Sequence, residues 1–179
     1  MSYTLKRFID DVDGITARET APDRITAQVA LLLARLVSVP DAIPAGFRRR
    51  GPDGGRGRYM LHRAPRFNVT SVVWRPGDTA GAHDHGTWGV IGVVENEIQE
   101  TRYRMERGRP AATRIQRHGP GAVSVLIPPD DDVHAMHNTT DRDTVEIHVY
   151  GRDLAGLRRR TWSDDGAEKE LVSPKYLNC

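Results

Sequence analysis

Apolar residues in the first forty positions recur at helical spacing, and from about Tyr59 the repeat shortens to two. Leu5, Phe8, Ile9 and Val12 fall on an i, i+3, i+4, i+7 stripe, which predicts an amphipathic helix. A second helix is expected after Thr20-Ala-Pro22-Asp23, a capping-box pattern with proline in the first turn. It runs through Ile25, Val29, Leu32, Leu33 and Leu36, and Pro40 closes it. Their apolar stripes need a surface to cover, so both helices are expected to lie on one side of the remaining chain.

Beyond the helices comes a series of short β-rich runs: Phe67–Trp74, Trp88–Val94, Glu97–Met105, Ala122–Ile127 and Thr144–Tyr150. Turn-forming clusters separate them, among them Arg75-Pro-Gly-Asp, Glu95-Asn96, His118-Gly-Pro-Gly and Pro128-Pro-Asp-Asp-Asp. Many short strands without intervening helices predict an antiparallel sandwich or barrel. The chain divides accordingly into N-terminal helices over residues 1–44 and a β-barrel over residues 45–179. The polar stretch after Ser163 is expected to pack loosely on the outside.

Length and charge narrow the functional classes. The 179 residues suit one domain with a proper core, and the formal net charge is only +2, from 26 basic and 24 acidic residues. That balance does not ask for a nucleic-acid partner. The seven arginines between Phe47 and Arg66, interleaved with glycines, read as a solvated loop. The single cysteine, Cys179, excludes an intramolecular disulfide and a thiolate metal cluster within one chain. Met-Ser-Tyr-Thr-Leu-Lys has no signal-peptide core and no segment approaches spanning length, so the expectation is a cytoplasmic protein without membrane contact. Nothing in the sequence sets an oligomeric state.

Histidines carry the candidate chemistry. His83 and His85 stand two apart, and on a strand such residues share a face, so one strand can offer two imidazoles to one metal. A third, His134, comes about fifty residues later and would complete one face of a coordination sphere with open positions on the other. Thr144–Tyr150 alternates cleanly, with Val145, Ile147 and Val149 on one face and Glu146, His148 and Tyr150 on the other. If the polar face looks into the barrel mouth, it supplies a hydrogen-bonded acid–base row. His137 is expected to point away from the metal, His118 to belong to a turn, Trp88 to wall the core, and Asp130–Asp132 to be an acidic turn.

Two of these segments resemble a known family. Gly77-x5-His83-x-His85 matches the first half of the first cupin motif, and Pro129-x4-His134-x3-Asn138 fits the second, with Asp131 where glycine is usual. Over residues 59–162 the resemblance implies a mainly β fold, the cupin double-stranded β-helix (a jelly-roll barrel), preceded by the helical segment. Most metal cupins add a glutamate ligand after the second histidine. Here those positions hold Trp88, Gly89 and Val90. A three-histidine site with His148-Val-Tyr150 on a later strand resembles the thiol dioxygenases, the family of cysteine dioxygenase and 3-mercaptopropionate dioxygenase, and its bacterial branch most closely.

That resemblance implies Fe(II) on His83, His85 and His134, with O2 and a small thiol carboxylate as co-substrates. It implies that Tyr150 hydrogen-bonds substrate or bound oxygen and that His148 orients its hydroxyl. Glu146 stands where the family carries serine, which would fix the tautomer or charge of His148. The substrate carboxylate would be anchored by Arg159 or, by the cysteine dioxygenase pattern, by an arginine on an early strand beside Tyr59, namely Arg58 or Arg63. The alternatives are another metal-dependent cupin enzyme (a C–C-cleaving dioxygenase or a zinc hydrolase) and a non-catalytic, ligand-sensing cupin.

Overall fold

Helix α1 (Leu5–Arg18) begins where Thr4 accepts a hydrogen bond from the Arg7 amide at 3.2 Å, and it buries Phe8, Val12 and Ile15. Helix α2 (Pro22–Val37) starts differently from the expected capping box. Proline at the first helical position moves the cap onto Ala21, which has no side-chain oxygen, and Thr20 lies one residue too early. No side chain caps its first turn, and Glu19 instead braces the link between the two helices. Its carboxylate accepts from the amides of Thr20 and Ala21 at 2.8 and 2.9 Å and from Arg24 Nε at 2.6 Å. The computed structural model describes residues 3–179, and no helix among them is long and apolar enough to cross a membrane.

Eleven strands come after the helices: β1 (Gly57–Arg63), β2 (Asn68–Trp74), β3 (Thr79–His83), β4 (Gly89–Glu95), β5 (Ile98–Glu106), β6 (Arg109–His118), β7 (Val123–Leu126), β8 (His134–His137), β9 (Thr144–Tyr150), β10 (Arg158–Trp162) and β11 (Glu168–Val172). They form two antiparallel sheets of order β1-β2-β9-β4-β7 and β11-β10-β3-β8-β5-β6. From β2 onward the chain steps from one sheet to the other at nearly every turn. The result is a double-stranded β-helix, the cupin-type jelly roll, with β1 extending one sheet and β10 and β11 the other.

The central strands of the first sheet, β2 and β9, are buried on both faces. Val145, Ile147 and Val149 of β9 pack with Val69 and Val73 of β2 and with Phe8, Val12, Val29 and Leu33 of the helices in one apolar cluster. Burying a side chain the size of Leu33 contributes about 1.5–3 kcal/mol. Gly92 lets α2 settle on β4: a Cβ there would lie 2.9 Å from Leu33 Cγ and Val37 Cγ1. With the odd-numbered positions of β9 committed to the helices, the two-residue alternation turns Glu146, His148 and Tyr150 into the barrel.

The C-terminal stretch departs from the expectation of a loose tail. β11 pairs with β10 along its whole length, and the chain then crosses β1: Leu177 N donates to the Arg58 carbonyl at 2.8 Å, and Asn178 exchanges two hydrogen bonds with the Met60 backbone at 2.9 Å. Ser173 and Tyr176 are buried there. The strands at Arg109–His118 and Glu168–Val172 also lack a sequence pattern, because mostly exposed edge strands have no apolar face to display.

Candidate metal centre

His83 ends β3 and stands in register with His134, the first residue of β8. His85 lies two residues beyond His83, but the strand has already ended, which corrects the picture of two imidazoles on one strand. The reason is Asp132. Its Oδ2 accepts from the amides of His85 and Gly86 at 3.0 and 2.9 Å, so a carboxylate replaces the strand partner there. Gly86 takes a positive φ of 63° in the turn that comes next.

The three rings converge, with centroids 4.8, 4.9 and 5.0 Å apart and their ligand atoms within 4.8 Å of one another. All are buried. Each ring is held from behind through Nδ1: His83 by the Gly81 carbonyl at 2.8 Å, His85 by Asp132 Oδ1 at 3.0 Å, and His134 by Glu100 Oε1 at 2.8 Å. These partners are acceptors, so Nδ1 carries the hydrogen and Nε2 keeps its lone pair. Burial holds His83 and His85 well below the usual imidazole pKa, and the neighbouring rings and the Arg159 guanidinium push the same way. Three neutral nitrogen donors with anchored rings fit a divalent metal, and the donors include no carboxylate.

Carboxylates sit one step further out, at positions that the sequence hardly marks. Glu100 accepts from His134, from His118 Nε2 at 2.9 Å and from Ser124 Oγ at 3.1 Å. Burial alone would raise its pKa, but the bonds to His118 and His134 and the charge of Arg102 outweigh it and hold it far below the carboxylate range. His118 is thus a buried strand residue rather than part of a turn. Burial raises the pKa of Asp132, against the pull of its two amide donors. It too is a ring anchor, not part of a solvated acidic turn. One signal does exist for Glu100: it shares the inward face of β5 with Ile98, an odd place for an acid without a partner.

The polar row of β9 is continuous. Trp74 Nε1 donates to Glu146 Oε2 at 2.6 Å, His148 Nε2 lies 3.0 Å from the same oxygen, and His148 Nδ1 lies 2.9 Å from the Tyr150 hydroxyl. Glu146 is fully buried, and its Oε1 has no hydrogen-bond partner among the described residues. The Tyr150 ring stacks on His85 with centroids 5.2 Å apart. Burial pushes the Tyr150 phenol well above its ordinary pKa, only partly opposed by Arg159, so the phenol is protonated at neutral pH.

A pocket of about 270 Å³ opens onto His83, His85, His148 and Tyr150. Arg159 lines it, held by Nε and Nη2 donating to Ser173 Oγ at 3.1 and 2.7 Å and by Nη1 donating to the Asp84 carbonyl. Tyr59 and Arg63 do not line it. The pleat of β1 turns Tyr59 to the opposite face from Arg58, where its hydroxyl donates to the carbonyls of Arg49 and Arg50 at 3.1 Å. Arg63 is exposed at the end of β1 and pairs with Asp153 at 2.8 Å. Arg58 is the early-strand arginine that reaches the pocket. His137 is exposed, and Trp88 belongs to the apolar core.

No protein-family model matches the chain. Among solved structures it is similar to TT1209 from Thermus thermophilus, at 15% identity and a TM-score of 0.48 over 60% of this chain and 93% of that one. KdgF from Halomonas sp. is similar at 16% identity and 0.48, over 62% and 92%. A cupin superfamily protein from Desulfitobacterium hafniense is similar at 12% identity and 0.46, over 62% and 90%. The fold assignment rests on the strand order of the chain itself.

Proposed function

We propose that the protein is an iron-dependent thiol dioxygenase that converts a small thiol carboxylate, 3-mercaptopropionate or cysteine, to its sulfinate with O2. The carrying observation is the company the three imidazoles keep: no carboxylate among the donors, and a pocket whose lining includes arginines but no acid. Imidazole serves iron, zinc and copper alike, so the choice of iron belongs to the proposal. Iron held by Nε2 of His83, His85 and His134 would supply the redox chemistry and lower the thiol pKa. In the overall change the S–H and O2 become a sulfinic acid. Both oxygen atoms end on sulfur, and sulfur provides all the electrons that O2 takes up, so no outside reductant is required.

The residues of the chain bind and orient. Arg159 presents a planar fork to the substrate carboxylate, already fixed by Ser173. Tyr150 offers a protonated phenol beside His85, and His148 sets its direction. With a proton on both ring nitrogens, His148 donates to Glu146 and to the Tyr150 oxygen, which frees the phenol hydrogen for the pocket. With Nδ1 bare, the phenol donates to His148 instead. In both arrangements Glu146 Oε2 accepts the Nε2 proton and keeps the ring's orientation.

The test is oxygen uptake by iron-loaded protein with 3-mercaptopropionate and with cysteine. The expected result is one O2 consumed per sulfinate formed. No uptake with any small thiol carboxylate, or stoichiometric zinc with hydrolytic turnover, removes the proposal.

A further inference from the structure

We infer that the pocket, while admitting a thiol with a single carboxylate, prefers one that carries two. This deepens the proposed function and rests on it for the thiol, but the charge argument stands on the pocket alone.

Three guanidinium groups line the pocket, from Arg56, Arg58 and Arg159, and no lining residue is acidic. Their partners differ. Arg56 lies over the Trp74 ring at 3.8 Å, with Nε 3.4 Å from Asp78 Oδ2, and Asp78 is also bonded by Arg75. Arg58 has no carboxylate partner among the described residues: its Nη1 donates to the Pro174 carbonyl at 2.7 Å, and the group lies over the Tyr176 ring at 5.1 Å. Arg159 has none among them either, since its donors go to Ser173 Oγ and the Asp84 carbonyl while the Asp84 carboxylate pairs with Arg160.

Arg58 and Arg159 come from different sheets and are tied to consecutive residues, Pro174 and Ser173, of the C-terminal segment. That segment brings two uncompensated positive groups to one side of a small pocket. Half-buried cations without counter-charges are costly to hold together, and a ligand bearing two anionic groups removes that cost. A single carboxylate would answer one fork and leave the other. Both forks keep donors free: Arg58 commits only Nη1, and Arg159 uses one hydrogen bond per nitrogen. The second carboxylate is therefore assigned to Arg58.

Binding of succinate and propionate, which lack sulfur, tests this by titration calorimetry on the metal-loaded full-length protein, with inorganic phosphate as a third ligand. Succinate is expected to bind at least about tenfold tighter than propionate. Arg58→Gln should bring the two within about threefold of each other, whereas Arg58→Lys keeps part of the difference because it keeps the charge. Equal affinities in the unaltered protein overturn the inference, as does phosphate binding more tightly than succinate. The unaltered protein alone decides those outcomes, so a poorly folding variant does not protect the idea. A matching activity measurement compares 2-mercaptosuccinate with 3-mercaptopropionate. If neither is oxidised but succinate still binds tighter, the dioxygenase proposal falls and the two-carboxylate pocket stands.

Discussion

Asp132 grips His85 at two points, accepting the backbone amide on Oδ2 at 3.0 Å and meeting ring Nδ1 with Oδ1 at 3.0 Å. One carboxylate therefore sets both where the ligand backbone runs and which way its ring faces. Asp132→Asn keeps the shape but gives up an acceptor and the negative charge. Partners of metal-bound histidines of this kind are typically worth about 10–100-fold in metal affinity. The variant is expected to lose affinity in that range in a chelator competition, with the circular dichroism spectrum retained. Undiminished affinity would show that the ring is held by packing alone.

Tyr150 lines the pocket beside His148 with a phenol that keeps its proton. Tyr150→Phe is expected to lower kcat for thiol oxidation by about 10²-fold, the lower end of what a positioned proton donor supplies. Metal content should stay level, because Tyr150 stacks on His85 without bonding to it. A variant as fast as the parent would reduce Tyr150 to a wall of the pocket.

Glu146 has two donors on Oε2 and, among the described residues, none on Oε1. Glu146→Ser shortens the side chain and strands the buried indole N–H of Trp74, at a cost of about 1–3 kcal/mol. The melting temperature is expected to fall. The pH profile of kcat/KM should change as well, since His148 loses the oxygen that fixes its Nε2 proton. A profile that does not move would mean that the row on β9 is structural.

Much of this site is legible in the sequence, and the illegible part has a physical pattern. The ligand histidines stand out because metal binding imposes spacing: two apart at a strand end, then a third on the adjacent strand. Thr144–Tyr150 stands out because one face had to meet the helices, leaving its polar partners no place but the interior. Asp132 and His118 do not, since each looks like an ordinary solvent-facing residue until strands far apart in sequence bring a partner within reach, and Glu100 is marked only by sharing a face with Ile98. Glu100 meets His134 across 34 positions, and Asp132 meets His85 across 47. β10 and β11 are hidden for a related reason: a run of three arginines in β10 and the mostly exposed, Glu- and Lys-rich edge strand β11 carry no alternation to detect. The same blind spot conceals the C-terminal segment that ties Arg58 to Arg159.

Acid stability offers a check on the link between α1 and α2, which Glu19 braces. Hydrogen bonds from Arg24 and the Ala21 and Thr20 amides lower the Glu19 pKa from 4.5 to about 2 in the folded protein. A depressed carboxylate contributes stability that is complete above its unfolded pKa and is lost as pH falls through its folded value. The contribution should thus fade between pH 4.5 and about 2. Glu19→Gln is expected to flatten the fall in melting temperature across that window. Parallel curves for parent and variant would mean that the Glu19 carboxylate does not stabilise that link.

Docking of α2 on β4 can be strained from the glycine side. In Gly92→Ala the new Cβ meets Leu33 and Val37 at 2.9 Å, and overpacking of this sort costs about 1–3 kcal/mol. The urea midpoint should fall. The metal affinity should not, because the ligands sit on the other sheet and the loop beyond it. A large loss of metal would mean that the helices act on the centre through β4.

Oxidation of 3-mercaptopropionate or 2-mercaptosuccinate by iron-loaded protein under ¹⁸O2 tests the central claim most directly. Mass spectrometry of the product should show a sulfinate with both oxygens labelled. A product carrying one label, or a disulfide with no label at all, would contradict a site in which three imidazoles leave room for the thiol and O2 together.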